Sequence, residues 1–279
     1  VRYTQYIMNR QDLHKPSKLK EICATHGLSP SKQYGQHYLI SDAPVKKMIV
    51  VADVKKEDTI VEIGPGLGIL TTALAQTGAN IIAFEIEQKL KSYWGGMKKE
   101  LPNVEFIWGN VMYQFQKRIE SVTQPYKVVA NLPYQITSQV LRLLLESTYP
   151  PLQIVVMVQR EVADRMCAKA GNMNLLGLSV QYYGKPHIVA KVARGSFWPV
   201  PGVDSSVVSI KDIVQVGQRN KQEADLLFFL AKKAFQNKRK QLWRALVDAY
   251  CLTANQAKKF LIEVAENDRI HFSLHNIMK

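Results

Sequence analysis

Cysteine is scarce: the three in 279 residues, Cys23, Cys167 and Cys251, stand far apart and form no CxxC pair. That excludes a disulfide-stapled scaffold and a zinc ribbon, and it fits a reducing compartment. Long apolar runs are missing as well. Those present, such as Ile154–Val158, fall far short of the roughly 20 residues of a membrane span, so no membrane-spanning segment is expected. The stretch Val1–Arg10 lacks the apolar centre of a signal peptide but is basic and free of acid. A cytoplasmic location is therefore expected, with an organellar one left open. Acidic residues are in short supply too: 23 Asp and Glu face 37 Lys and Arg, for a net charge of +14. Such a surplus implies a polyanionic partner, with RNA, DNA and anionic lipid all open at this point.

What the chain does have is material for a large core, 47% of its residues being hydrophobic. Lys18–His26 reads as a short helix stopped by Gly27. Short apolar runs then alternate with helical segments. The runs at Thr59–Ile63, Asn80–Glu85, Val104–Trp108, Lys127–Ala130 and Gln153–Val158 read as strands. Leu67–Thr77, Gln88–Lys99, Ser138–Leu145 and Arg160–Lys169 read as helices between and after them. That spacing predicts an α/β fold built on a parallel, doubly wound sheet. Two closing strands, Ile188–Ala193 and Ser205–Ile210, flank a Pro-rich loop at Trp198–Gly202. Beyond Val214 the pattern becomes helical, over Gln222–Asp248, with no further strand signal. The expected division is 1–214, with residues 1–35 as an N-terminal extension, and 215–279 as a small all-helical domain. The second part carries 12 basic against six acidic residues, a denser positive charge than the first.

The string Val61-Glu62-Ile63-Gly64-Pro65-Gly66-Leu67-Gly68 ends the first strand of the sheet and opens a helix. Glycines there permit a tight turn and let a ligand approach backbone N–H groups. A dinucleotide fingerprint would need glycine at 69, where Ile69 stands, so the spacing suits S-adenosylmethionine better. Gly64 and Gly66 are the candidate contacts. Glu85 ends the next strand, 21 residues on from Gly64, where a carboxylate can accept both ribose hydroxyls. Glu87 lies past the strand and reads as a solvated charge. Asn110 follows the third strand, either accepting from an adenine amine or serving as a turn asparagine.

The fourth strand runs into Asn131-Leu132-Pro133-Tyr134. An exocyclic amine on a base is a poor nucleophile because its lone pair is delocalised into the ring. Two acceptors, the Asn131 side-chain oxygen and the Leu132 carbonyl, would draw the nitrogen towards tetrahedral geometry and free that pair. Pro133 stiffens the turn that aims them. Tyr134 offers a face on which an extruded base can stack, worth about 1 to 3 kcal/mol. No strong general base is demanded, because a neutral sulfur leaves readily.

These residues resemble the ribosomal RNA adenine N6,N6-dimethyltransferases, in particular the small-subunit branch that holds the kasugamycin-resistance enzyme. The resemblance runs from Tyr34 to about Leu246. It rests on Gly35–Leu39, Glu62–Gly68, Glu85, Asn131–Tyr134, Gln159–Arg165, Phe197–Pro201 with Val203-Asp204-Ser205, and Ala234-Phe235 with Lys238-Arg239-Lys240. It implies a Rossmann-like methyltransferase sheet and S-adenosylmethionine as cofactor. It also implies dimethylation of adenosines in a 3′-terminal hairpin of small-subunit rRNA, on an immature small ribosomal subunit, by a monomer. His37 and Leu39 would then contact the cofactor, with Gly64, Glu85, Asn110 and Asn131, and Phe197 would close on the target adenine opposite Tyr134. Lys232, Lys233, Lys238, Arg239, Lys240 and Arg244 would grip RNA phosphates. Departures from the family pattern are His37 for Asn, Asn110 for Asp, and the stretch Asn174–Val180, which reads as a loop shaping the fit to RNA.

Two rivals stand beside that reading: a large-subunit dimethyltransferase conferring macrolide resistance, which usually has Ile where this chain has Leu132, and a ribosome-assembly or organellar transcription factor on the same fold. No metal is expected, since His271 and His275, four apart, have no third ligand.

Overall fold

The computed structural model describes residues 10–30, 37–122, 125–215, 220–236 and 241–267. Lys238, Arg239, Lys240, His271 and His275 lie outside them.

A 3-10 turn at Arg10–His14 leads into helix α1, Pro16–Thr25. Pro16 opens it two residues before the expected start, since a fixed φ and a missing N–H cost nothing at the first helical position. Gly27, at φ +61, ends it with the Leu28 N–H donating to the Cys23 carbonyl at 2.7 Å. A two-residue strand, β1 (Tyr38–Leu39), and helix α2 (Asp42–Val51) precede the sheet.

The sheet proper then builds in alternation. Strand β2 (Thr59–Ile63) is followed by α3 (Ile69–Ala75), β3 (Asn80–Glu85) by α4 (Leu90–Met97), and β4 (Val104–Trp108) by α5 (Val111–Ile119). Strand β5 (Tyr126–Asn131) is followed by α6 (Thr137–Leu145), and β6 (Gln153–Gln159) by α7 (Arg160–Met166) and α8 (Leu175–Tyr183). Strands β7 (Lys185–Val192) and β9 (Ser205–Lys211) complete it, and between them β8 (Phe197–Trp198) leaves the sheet to pair with β1. The seven long strands lie in the order β4-β3-β2-β5-β6-β9-β7. The first five are parallel, and β9 pairs antiparallel with both β6 and β7. Helices flank the sheet, and its central strands are buried on both faces: Ile154–Val158 is 0% exposed throughout.

The expected strands stand within a few residues of their positions. The 174–180 stretch does not: Leu175–Tyr183 is a helix. Its run Leu-Leu-Gly-Leu-Ser-Val carries no polar face, so it shows no helical period to read. Also unforeseen is the pairing of β1 with β8, Tyr38 opposite Trp198 and Leu39 opposite Phe197, between segments about 160 residues apart.

Two compact units emerge. One runs to Asn172 and from Leu176 to Val216; the other comprises Met173–Leu175 and the segment from Gly217 on. In the second, α9 (Lys221–Gln236), α10 (Leu242–Tyr250) and α11 (Ala254–Asn267) enclose a small core of Leu246, Ala257 and Leu261, against which Leu230, Trp243, Val247 and Leu252 pack. The expected helical run over 222–248 is thus two helices.

Candidate active site

In an open parallel sheet a ligand crevice forms where the strand order reverses, at the carboxyl ends of the strands. Here that reversal falls between β2 and β5. The end of β2 delivers Gly64 and the end of β5 delivers Asn131, side by side. One cleft there is lined by residues 62–70, Glu85, Ile86, Asn110, residues 131–136, His37, Tyr38 and Leu39. Leu13 and Leu19, from the 3-10 turn and α1, also wall it, a contribution that the sequence did not reveal. Both are apolar and buried, indistinguishable in sequence from ordinary core positions.

The glycine turn is a tight mould. Gly64, Gly66 and Gly68 have φ of +75, +55 and +94, which favours glycine at each. Space adds a second constraint. A Cβ on Gly64 would meet Pro133 Cγ at 3.4 Å, and one on Gly68 would sit 2.4 Å from the Trp94 ring. Trp94 is fixed by its indole N–H, which donates to the Gly66 carbonyl at 3.1 Å, and the Tyr93 hydroxyl donates to the Leu67 carbonyl at 2.7 Å. Helix α4 therefore clasps the turn from outside.

Glu85 closes the turn from within. Its Oε2 accepts from the Gly66 N–H at 3.1 Å and its Oε1 from the Glu87 N–H at 2.8 Å. Burial raises its pKa, and those backbone donors work against the rise. Each oxygen retains acceptor capacity for a hydroxyl from the cleft. Glu87 uses Oε1 to accept from the Lys89 N–H at 3.1 Å, a local turn role.

Glu62, which the sequence marked only as part of the turn, is 1% exposed and lines the same cleft. Its Oε2 has no hydrogen-bond partner among the described residues. Burial pushes its pKa up to about 8; the nearby Glu85 adds to the rise and the Thr71 hydroxyl opposes it.

Asn110 reaches the cleft, but its Oδ1 already accepts the Met112 N–H at 2.9 Å as the N-cap of α5. The turn-asparagine alternative thus describes what its oxygen does here. Leu39 is buried at 4% exposure and lines the cleft.

Asn131 ends β5 half-buried in the cleft wall. Leu132 is buried, its N–H donating to the Met157 carbonyl at 3.1 Å, and Pro133 packs on Gly64. The Thr137 hydroxyl donates to the Pro133 carbonyl at 3.1 Å, tying the loop to the first turn of α6. Tyr134 is held at its tip by Ser205 Oγ at 2.9 Å, and the His37 ring stacks on it at 5.7 Å with planes 29° apart. Phe197 departs from expectation. It is 1% exposed, belongs to the apolar core beside its strand partner Leu39, and is not a wall of this cleft. Its ring packs in the core that anchors that strand.

Of the basic candidates, Lys232 and Arg244 are exposed and Lys233 half-buried. Lys233 Nζ lies 5.8 Å from the centre of the Phe229 ring. Arg244 and Lys258, the latter not foreseen, each sit 5.1 Å from the Trp243 ring. Among the described residues no cluster could hold a metal ion, and no helix is long and apolar enough to cross a membrane.

The family model described as ribosomal RNA adenine dimethylase matches residues 28–273. A protein named ribosomal RNA small subunit methyltransferase A from Dehalococcoides mccartyi is 41% identical over 230 residues, 82% of this chain and 79% of that one. One of the same name from Enterococcus faecalis is 34% identical over 248 residues, covering 86% and 83%. Among solved structures, a dimethyladenosine transferase from Plasmodium falciparum superposes with a TM-score of 0.63 at 26% identity, over 85% of this chain and 84% of that one. The 23S rRNA methyltransferase ErmE shares the fold, with a TM-score of 0.61 at 22% identity over 76% and 84%.

Proposed function

The chain belongs to the ribosomal RNA adenine dimethylase family, and we propose that it places two methyl groups on N6 of adenosines in a 3′-terminal hairpin of small-subunit rRNA, acting as a cytoplasmic monomer on the immature small ribosomal subunit. The observation that carries this is the meeting, at one cleft, of the glycine turn with the Asn131–Tyr134 loop, Pro133 packed on Gly64. The small-subunit assignment follows the two methyltransferase A relatives, 41% and 34% identical; the likeness to the 23S enzyme is one of fold.

The residues present fit S-adenosylmethionine. Glu85 offers acceptors for vicinal ribose hydroxyls at the end of β3. The unpartnered Oε2 of Glu62 suits a cationic amino group, and the positive-φ glycines leave room for the ligand to lie against the backbone. Gly64, Gly66, Glu85, Leu39, Asn110 and Asn131 are the cofactor contacts in this reading. Bound there, S-adenosylmethionine supplies an electrophilic methyl group on a sulfonium whose departure leaves a neutral thioether.

The chain's own residues then act on the acceptor. The Asn131 side-chain oxygen and the Leu132 carbonyl accept the two amine hydrogens of adenine, which localises the lone pair on N6 and aims it. Pro133, wedged on Gly64 and tied through its carbonyl to Thr137, keeps both acceptors in register. Tyr134, fixed at its hydroxyl by Ser205, supports the extruded base. Catalysis on this account is positioning and electrostatics, the proton passing to water afterwards. Lys232, Lys233 and Arg244, with Lys238, Arg239 and Lys240 in the same sequence run, hold RNA phosphates.

Mass spectrometry of immature small subunits incubated with enzyme and S-adenosylmethionine tests the reading: dimethyladenosine is expected, and its absence with folded, cofactor-bound protein overturns it. Asn131→Ala should lower turnover by about 100-fold or more while cofactor affinity stays within a few-fold, as for other removed transition-state contacts. Equal losses of both would mean that Asn131 serves only the cofactor and not the amine.

A further inference from the structure

We propose that His37 is a positioning residue for Tyr134, not a cofactor ligand: it couples the ring that supports the target base to the Pro-rich loop after β8. This rests on the assignment of Tyr134 as the base platform. Three contacts carry it.

The first is a hydrogen bond whose direction is fixed by chemistry. His37 Nδ1 lies 2.7 Å from the Pro199 carbonyl oxygen. A carbonyl only accepts, so Nδ1 carries the hydrogen and donates. The register of the small ribbon places this bond. Tyr38 faces Trp198 and Leu39 faces Phe197, so the next pair outward is His37 and Pro199. The Ile40 N–H donates to the Ser196 carbonyl at 2.8 Å, and by the alternation of an antiparallel ladder 37/199 is a pair with no backbone bond across it. The imidazole supplies a side-chain bond there instead.

The second contact is the stack of the same imidazole on Tyr134, with centroids 5.7 Å apart and planes 29° apart. The third is the bond from the Tyr134 hydroxyl to Ser205 Oγ at 2.9 Å, on a serine 0% exposed in β9. Tyr134 is therefore held at its tip by the sheet and covered on one face by His37. A base entering the cleft has the other face to stack on. The ribbon behind His37 is anchored in turn, since Leu39 is 4% and Phe197 1% exposed. Phe197 thus serves the base at one remove, by rooting the strand that sets His37.

The two halves of this role separate by substitution. His37→Asn keeps an N–H donor for Pro199 and loses the ring; His37→Phe keeps a flat ring and loses the donor; His37→Ala loses both. The experiment measures kcat and KM on immature small subunits, the cofactor Kd by calorimetry, and the ring-flip rate of Tyr134 by NMR of tyrosine-labelled, cofactor-free protein. His37→Ala should lower kcat about tenfold, leave the cofactor Kd within twofold, and speed the Tyr134 flip at least tenfold; Asn and Phe should each recover part of both losses. A cofactor Kd weakened tenfold with kcat unchanged at saturating cofactor would make His37 a cofactor ligand and overturn the proposal. An unchanged Tyr134 flip rate in His37→Ala would overturn it as well. The NMR arm needs no methylation: if wild-type protein forms no dimethyladenosine, the functional reading fails, and the flip rates still decide whether His37 holds Tyr134.

Discussion

Replacing Glu62 by glutamine should make the cofactor-free protein more stable than wild type by an amount that grows with pH. Glu62 is buried, and its carboxyl is pushed up to about 8, chiefly by desolvation. In the unfolded chain it ionises near its ordinary value of 4.5. Between those two values the unfolded chain has released the proton while the folded protein keeps it, so stability falls as pH rises through the window. Each pH unit inside it is worth about 1.4 kcal/mol, so about 2 to 3 kcal/mol should be lost between pH 5 and pH 7. Glutamine does not titrate and escapes that loss. At about 2 °C per kcal/mol for a unit of this size, the Tm advantage of Glu62→Gln over wild type should widen by about 5 °C across the two pH units. Calorimetric scans of both cofactor-free proteins at pH 5, 6 and 7 and constant ionic strength read this directly. Glu85, whose pKa burial also raises, is present in both chains and largely cancels. A Tm difference constant to within about 1 °C would show that Glu62 is not held protonated, and would remove the buried neutral carboxyl from the site.

Further outcomes follow from the same geometry. Gly68→Ala places a methyl group 2.4 Å from the Trp94 ring at φ +94, and should destabilise the protein by about 2 to 4 kcal/mol in denaturant titration; a loss under 1 kcal/mol would mean that α4 shifts freely. Gly95 and Gly96 lie exposed inside α4, and a methyl group added at either would meet nothing within 4 Å, so either change to Ala should stabilise by about 0.5 to 1 kcal/mol on the same assay. Arg244→Ala combined with Lys258→Ala should weaken binding to small-subunit RNA and reduce the slope of log affinity against log salt by about 2, with cofactor affinity unchanged. An unaltered slope would make the Trp243 cluster a solvated face.

Much of the cleft was legible because its signals are local. The glycines at 64, 66 and 68 announce a turn only a few residues long, Glu85 is placed by the end of one apolar run, and Asn131 by the end of another. The parallel order of those strands follows from their alternation with helices. Asn110 was legible as a cleft residue, yet its amide oxygen went to a helix cap, a choice between two local roles that sequence left open. Helix α8 escaped because a run with almost no polar residue has no face to betray its period. Phe197 looked like an active-site aromatic by its motif and is a core side chain in fact.

The sequence by itself determined the class of sheet, the glycine turn and the Asn131–Tyr134 string that line the cleft, and the basic character of the helical tail. Each is written in residues adjacent along the chain, where steric limits on φ and ψ, side-chain period and charge act without reference to anything distant. Only the tertiary structure decided that Leu13 and Leu19 wall the cleft, that Glu62 is buried there with its Oε2 lacking a partner among the described residues, and that β9 runs antiparallel between β6 and β7. It also decided that β1 finds β8 across about 160 residues and so brings His37 onto Tyr134. A two-residue strand carries no period of its own. Its partner is chosen by burial of Leu39 and Phe197 in a shared core, and that energy exists only once the chain has folded.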